Sequence, residues 1–325
     1  MPIIENNQFT RPPVGQWGGH LQTIVPSLTR KFPEIRFRRE RLELPDGDFL
    51  DLDWLEKPGH QRLVVLSHGL EGSTDGSYIK GMAKIFHQNG WDALAWNCRS
   101  CSGEMNRLFR LYHHGDIGDL STVIDHAIFQ KKYREIALIG FSMGGSMTLK
   151  YAGVNGRNIR PEICAAIGFS VPCDIRAGAD VLDRADNFIY KKRFLEALSV
   201  KILEKNRRFP GILDVSKLKM VRQWRDFDEW FSAPIAGYRS AAEFHEQASS
   251  KNFIAGTAVP TLLVQAVNDP ILTPACWPEE IARGHKSLFL EKTQIGGHVG
   301  FMERGEKTGW AERRALDFVK QHATG

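Results

Sequence analysis

The feature that most limits the fold of this chain is a short apolar run that leads directly into Gly-x-Ser-x-Gly. Residues 136–139 are too few for a buried helix and have the composition of a buried strand. Gly140, Ser142 and Gly144 form the motif, and residues 146–152 are suited to a helix. Strand, tight turn and helix in this order are the context of a nucleophile elbow, where a serine stands clear of the sheet at the positive end of a helix.

A five-residue pattern with two free positions also occurs as an ordinary turn, so its meaning depends on the surrounding chain. Buried strands are predicted at residues 63–66, 91–97, 163–171, 261–269 and 287–292. Helices are predicted at residues 78–89, 116–132 and 308–320. This alternation predicts an α/β fold with a mostly parallel central sheet flanked by helices on both faces.

Two segments near the start of the chain depart from this alternation. Residues 1–30 are rich in proline and glycine, and we expect an N-terminal surface segment without regular structure, anchored by Trp17, Leu21 and Ile24. Residues 35–55 alternate between apolar and polar positions on both sides of a Pro-Asp-Gly-Asp turn. That pattern predicts an antiparallel hairpin at one edge of the sheet.

The pattern changes again between residues 174 and 253. Helical periodicity dominates there, lysine and arginine are frequent, and aromatic residues cluster near the end of the segment. We predict a helical cap at 174–253, inserted between two parts of one α/β core at 31–173 and 254–325. The basic residues suggest a peripheral contact with an anionic membrane surface.

Candidate chemical groups gather at one rim of the predicted sheet, because ligands of parallel sheets bind at the carboxyl ends of the strands. Asp269 closes a strand, and His298 lies in a glycine-rich loop after the last strand. The chain order Ser142, Asp269, His298 is the order expected after a nucleophile elbow. His298 would take the proton of Ser142, and Asp269 would hold the imidazole tautomer. Asp174, just past another strand, is a rival for the acid.

Two backbone N–H groups are predicted to stabilise the oxyanion of a tetrahedral intermediate. One belongs to Met143, directly after the serine. The other belongs to Leu70, in the His-Gly-Leu loop that follows the 63–66 strand. An ordinary turn also explains His-Gly, but the elbow chemistry requires a turn at this strand end.

Other patterns carry weaker signals. Cys98 and Cys101 form a lone CxxC with neither a second pair nor a helix start after it, which disfavours a zinc or redox site. His114 and Asp119 have a spacing found in some acyltransferases, but 11 histidines make one such match expected by chance. We expect Asp116 to cap the following helix instead. No metal or organic cofactor is predicted.

Composition limits the remaining classes. The chain has 325 residues, of which 42% are hydrophobic, and a formal net charge of +5 without a basic block, so nucleic-acid binding is disfavoured. Five cysteines at irregular spacing suggest reduced thiols in the cytoplasm. We see neither a signal peptide nor a run of apolar residues long enough to cross a membrane.

With these residues in place, the chain resembles the α/β-hydrolase superfamily and, more narrowly, the YheT-like hydrolases. The narrower likeness rests on residues 17–24, 68–72, 97–104, 112–116, 140–145, 268–270 and 297–300. Residues 17–24 are its most specific part, and Ser100 departs from the glycine that relatives usually have after the arginine. The resemblance implies a Ser142/Asp269/His298 triad, a helical cap and an esterase or lipase type of activity.

The sequence therefore predicts a serine hydrolase that acts on a carboxylic ester, with an acyl chain in a pocket walled by the cap. Two alternatives remain open. An acyltransferase or thioesterase would use the same triad, and a binding protein would keep the fold without catalysis. Haloalkane dehalogenases and epoxide hydrolases need a carboxylate at the position of Ser142, so both are disfavoured.

Overall fold

The structure is a computed structural model that describes residues 3–6, 9, 11–306 and 308–323. The strands are β1 (Ile3–Asn6), β2 (Arg38–Glu43), β3 (Phe49–Leu55), β4 (Arg62–Ser67), β5 (Asp92–Trp96), β6 (Glu135–Phe141), β7 (Ile163–Phe169), β8 (Thr261–Ala266) and β9 (Leu288–Thr293). Within the described residues they form one sheet of nine strands in the order β1-β9-β8-β7-β6-β4-β5-β3-β2. Strand β3 pairs antiparallel with β2 and β5, whereas the other pairs are parallel. The mostly parallel sheet and its edge hairpin are as predicted.

Helices complete the layers on both faces of the sheet. They are α1 (Gly18–Thr29), α2 (Ser77–Gln88), α3 (Gly118–Gln130), α4 (Met143–Asn155), α5 (Ile175–Leu182), α6 (Phe188–Arg208), α7 (Trp224–Phe227), α8 (Ala233–Ile235), α9 (Ala241–Ala248), α10 (Glu279–Gly284) and α11 (Trp310–His322). Side chains of α2 and α11 share one apolar core with Val64 and Leu66. Side chains of α3 and α4 share another with Leu63 and Val65. Because alternate residues of β4 point to opposite faces, the same strand contributes to both cores.

The N-terminal segment is more ordered than its composition suggests. Strand β1 pairs with β9 at the edge of the sheet, and α1 covers much of the stretch expected to be irregular. That expectation is therefore wrong, and so is the expected anchoring by Trp17 and Leu21, which are 75% and 40% exposed. Ile24 does pack against an apolar cluster. The buried side chains of α1 are Gln22 and Pro26, so a polar residue, not an aromatic one, ties this helix down. Residues 1, 2, 7, 8 and 10 of the predicted segment lie outside the described residues, as do 307, 324 and 325 of the predicted core.

Between β7 and β8 the described chain is helical, and it covers the carboxyl ends of the strands. Helices α5 to α9 lie there with a π-helical turn at Asp228–Ser232. An apolar cluster joins Ile202, Phe227 and Phe231 of this region to Leu111 from the core. The buried ammonium of Lys205 donates to the side-chain oxygen of Asn106 at 2.6 Å. This region, residues 174–253, is the one predicted to be a cap, and apolar packing and hydrogen bonds both attach it to the core.

Candidate active site

Ser142 stands on the tight turn between β6 and α4, in a backbone conformation that side chains rarely adopt. Its φ is 53° and its ψ is −121°. Such a conformation costs roughly 1–3 kcal/mol and persists where the surrounding structure fixes it. Here the two motif glycines allow the turn to close. A Cβ atom on Gly140 would lie 2.2 Å from the oxygen of Gly144, and one on Gly144 would lie 2.3 Å from the oxygen of Ser67.

The structure brings Ser142, His298 and Asp269 into one hydrogen-bonded row. Nε2 of His298 lies 2.9 Å from Oγ of Ser142, and Nδ1 lies 2.9 Å from Oδ2 of Asp269. The second carboxylate oxygen accepts the backbone N–H of Ile271 at 2.9 Å. The Asp269 side chain is 1% exposed and that of His298 is 11% exposed. The row therefore has the order and the contacts of a nucleophile, a base and an orienting acid.

The loops that carry the acid and the base are held by α1. Oε1 of Gln22 accepts the backbone N–H of Gly296 at 2.8 Å and an N–H of Asn268 at 2.9 Å. Oγ1 of Thr23 accepts the backbone N–H of His298 at 2.8 Å. Side-chain analysis of the sequence missed these roles, although Gln22 and Thr23 lie in the stretch that makes the family resemblance most specific. We call Gln22, Thr23 and Asn268 the α1 bracket.

The loop after β4 lies beside the serine. Nδ1 of the buried His68 donates to the oxygen of Gly69 at 2.7 Å, and its Nε2 accepts the N–H of Cys98 at 3.1 Å. Burial lowers the pKa of His68 to about 4, so the ring is neutral and its tautomer is fixed by these two partners. Leu70 lines the same space as Ser142 and His298. Met143 is the first residue of α4, where N–H groups have no partner inside the helix.

A buried polar cluster connects this loop to the cap. Glu71, directly after Leu70, has a positive φ of 52°. Its backbone N–H donates to the hydroxyl of Tyr112 at 3.0 Å, and its carboxylate pairs with Lys201 of α6 at 2.7 Å. The Tyr112 hydroxyl in turn donates to that carboxylate, and Lys201 also contacts the sulfur of Cys101 at 3.2 Å. No local pattern in the sequence indicates this cluster, because its members come from four separate segments.

Two adjoining chambers lie beneath the cap. The outer chamber is bordered by Ser142 and His298. The inner chamber is bordered mainly by apolar side chains of the cap and of the loop before α3. Their shared lining is Leu70, His114, Ile175 and Trp224. Both chambers are lined mainly by apolar side chains, and these four residues border both of them.

The rival acid is engaged elsewhere. Oδ1 of Asp174 accepts the N–H of Ala177 at 3.0 Å and caps α5, while its other oxygen pairs with Lys251. Burial raises the pKa of Asp174, but the Lys251 ion pair and the helix N–H groups outweigh it and hold the pKa below its ordinary value. Asp269, not Asp174, is the carboxylate in contact with His298.

Two aspartates near the start of α3, Asp116 and Asp119, both form ion pairs with arginines. Asp119 forms a bidentate pair with Arg99 at 2.8 Å and does not contact His114. The expected capping by Asp116 is wrong: Ile117 precedes α3, and the Asp116 carboxylate pairs with Arg110 instead. The Asp116 carboxylate thus pairs with a cation six residues earlier in the chain and does not cap the helix.

One group of candidate metal ligands lies far from the serine. Cys98 and Cys101 are free thiols. Among the described residues, one group of side chains has metal-ligand spacing, namely His60, His87 and Asp92. Asp92 begins β5, at the opposite end of the parallel strands from Ser142, and its carboxylate already accepts from Lys131 and Tyr133. None of the described helices is both long and apolar enough to cross a membrane.

Comparison with known proteins identifies the family of this chain. Residues 62–305 match the family model described as the alpha/beta hydrolase fold, so the chain belongs to the α/β-hydrolase family. The putative esterase YheT of Escherichia coli is 33% identical over 288 residues, which cover 87% of this chain and 84% of that protein. Within the family, the chain is therefore a YheT-like hydrolase, and the resemblance read from the sequence is confirmed.

More distant similarities agree with this assignment. The phospholipase ABHD3 of Homo sapiens is 27% identical over 312 residues, covering 93% of this chain and 75% of that protein. The monoacylglycerol lipase of Saccharomyces cerevisiae is 28% identical over 307 residues, covering 91% of this chain and 66% of that protein. Among solved structures, an esterase of Pyrococcus furiosus superposes with a TM-score of 0.58 at 16% identity, covering 96% of this chain and 99% of that one. This last likeness supports the fold alone.

Proposed function

We propose that this hydrolase cleaves carboxylic esters through an acyl-enzyme on Ser142. The observation that carries the proposal is the continuous row from Asp269 through His298 to Ser142, with both contacts at 2.9 Å. A row of this kind supplies what a serine hydroxyl needs to become a nucleophile at neutral pH. The names of the relatives, an esterase, a phospholipase and a monoacylglycerol lipase, agree with an ester substrate.

The steps follow from the contacts. His298 takes the proton of Ser142 at Nε2 while the serine oxygen attacks the ester carbonyl carbon. Asp269 stabilises the resulting imidazolium through Nδ1–H. The N–H groups of Leu70 and Met143 would stabilise the oxyanion, and the imidazolium returns its proton to the departing alcohol. Water then attacks the acyl-enzyme with the same base, and the acid leaves.

The substrate is proposed to carry an acyl chain, because the chambers beyond Ser142 are mainly apolar. Thioester cleavage and acyl transfer use the same intermediate and differ in what attacks or leaves. Both are separated from ester hydrolysis by comparing an oxygen ester with its thioester and by adding an alcohol acceptor to the assay. Free acid as the sole product would support hydrolysis, whereas a new ester would support transfer.

The test of the mechanism is labelling by a fluorophosphonate probe. Wild type should label, whereas Ser142→Ala should not. Asp269→Asn should slow labelling by about 10³–10⁴-fold, since the wrong imidazole tautomer is then favoured. Asp174→Asn is the matched control and should label at nearly the wild-type rate. Folded wild type that fails to label would instead favour the binding-protein alternative.

We also propose that the cap touches anionic membrane surfaces. Helix α6 exposes Phe188, Ile189 and Val200 by 61% to 66%, and Lys192 and Arg193 lie on the same helix. Exposed apolar side chains beside cations are typical of a helix that lies at a membrane interface. Vesicles with phosphatidylglycerol should sediment the protein at low salt but not at high salt, and Lys192→Glu with Arg193→Glu should abolish this. Equal binding to neutral vesicles would contradict the proposal. The cytoplasmic location stays a prediction.

A further inference from the structure

His114 is placed where the two chambers meet. It lines both the outer chamber, which contains Ser142, and the inner chamber beneath α6 and α7. Its Nδ1 is fully buried without a hydrogen-bond partner, and no partner of Nε2 is found among the described residues. Polar groups without a partner are uncommon in a protein interior and destabilising. Because Nδ1 has no accessible surface, Nε2 is the ring nitrogen that a ligand in the chambers could reach.

Three other polar side chains of the inner chamber already have partners inside the protein. The hydroxyl of Tyr112 is bonded to Glu71, and Nδ1 of His113 accepts the N–H of Gly115 at 3.2 Å. Asp228 pairs with His245 at 2.7 Å. His114 therefore differs from its neighbours, and the remaining lining is mostly apolar: Leu111, Ile202, Phe227, Ile235 and Phe244.

The charge of the ring limits which ligand group it can hold. Burial, together with smaller contributions from His113 and His245, lowers the pKa of His114 to about 3, so the imidazole is neutral. A neutral imidazole offers one donor and one acceptor, and it gives no charge attraction to a carboxylate. A hydroxyl group can donate and accept as well, so it fits His114 in either tautomer.

We infer that His114 forms a hydrogen bond to a hydroxyl group on the acyl chain of the substrate, at the point where the chain passes from the outer to the inner chamber. This inference rests on the proposed function, because the acyl chain must start at Ser142. It names the substrate class as esters of mid-chain hydroxy acids, with the apolar remainder of the chain in the inner chamber. An analogue without the hydroxyl leaves a buried polar group unpaired, which is how a binding site rejects it.

The test compares kcat/KM for p-nitrophenyl decanoate with kcat/KM for the p-nitrophenyl esters of the isomeric hydroxydecanoic acids. The series omits the hydroxyl positions that close readily into lactones. In wild type one isomer should be preferred over decanoate by about tenfold, the scale expected for a recovered buried hydrogen bond. In His114→Leu the ratio should fall to near one, whereas His114→Gln, which has a donor and an acceptor, should keep much of it. His114→Phe repeats the test if the leucine variant does not fold.

Ser232→Ala is the matched control, because Ser232 lines the inner chamber but not the shared wall. It should leave the preference ratio unchanged. Hydrolysis of decanoate with no preferred isomer, or an equal ratio in wild type and His114→Leu, overturns the inference and leaves the proposed function standing. A folded wild type that neither hydrolyses any ester nor labels with fluorophosphonate overturns both.

Discussion

Ser142 and His298, the proposed nucleophile and base, are held in place by different kinds of interaction. Ser142 takes its conformation from its own motif, where Gly140 and Gly144 let the backbone pass close to β4. His298 depends on side chains more than 270 positions away, through Thr23 to its own N–H and Gln22 to the N–H of Gly296. Local backbone geometry thus positions the serine, while long-range hydrogen bonds position its base. The two arrangements should fail in different ways when they are disturbed.

The largest effect should come from breaking the local arrangement. Gly144→Ala places a Cβ atom 2.3 Å from a backbone oxygen of β4, and neither side can yield without moving the central sheet. We expect the free energy of unfolding, measured in urea, to fall by about 4 kcal/mol or more, or the variant to be insoluble. Gly284→Ala, where a Cβ atom meets open space, is the control and should change little. Equal stability of the two variants would show that the elbow is not sterically constrained.

Breaking the distant arrangement should reduce activity more than stability. Gln22→Leu removes the acceptor of the Gly296 N–H and of Asn268, so the loop of His298 loses its fixed position. We expect kcat/KM and the labelling rate to fall about 100-fold, because small misplacements of a catalytic group are costly. Gln22→Glu keeps an acceptor oxygen and should retain more activity than the leucine variant. If both variants behave as wild type, the α1 bracket does not position the base.

Acid should destabilise the surroundings of Ser142 before it affects the α1 bracket. The bracket side chains Gln22, Thr23 and Asn268 do not ionise, but His68 in the loop after β4 is held neutral, with its pKa lowered by burial to about 4. The unfolded chain binds this proton as pH falls through about 6.5, so stability is present at neutral pH and decreases below it. We expect wild type to lose about 2 kcal/mol from this group between pH 7 and pH 5. Urea unfolding of His68→Gln should show a smaller loss, and parallel pH curves would contradict the assignment.

The smallest effect should come from the cap. Lys201 of α6 pairs with Glu71, the residue after the proposed oxyanion donor Leu70. Lys201→Met should lower kcat about tenfold with little change in KM, because the loop, not substrate binding, loses support. Lys201→Arg should recover part of the loss, and Lys192→Met, an exposed position on the same helix, should have none. A change in KM alone would mean that Lys201 shapes the chamber instead.

Local patterns explain what the sequence could predict. Apolar runs and glycines marked β4 to β9 and the elbow, because buried strands and tight turns restrict composition over a few residues. The order of Ser142, Asp269 and His298 followed from the expected topology. The α1 bracket was not predictable by periodicity, since Gln22 and Gly296 meet only after the whole sheet has formed. Helix α1 itself was missed because proline and glycine mask a helical segment whose buried residues are the polar Gln22 and Pro26.

The distance in sequence between α1 and the histidine loop also orders events during synthesis. Translation proceeds from Gly18 towards His298, so Ser142 is synthesised 156 residues before His298. His298 can reach Thr23 only after residue 298 has emerged from the ribosome. Under the proposed mechanism, the nascent chain therefore carries Ser142 without its activating base while those residues are added.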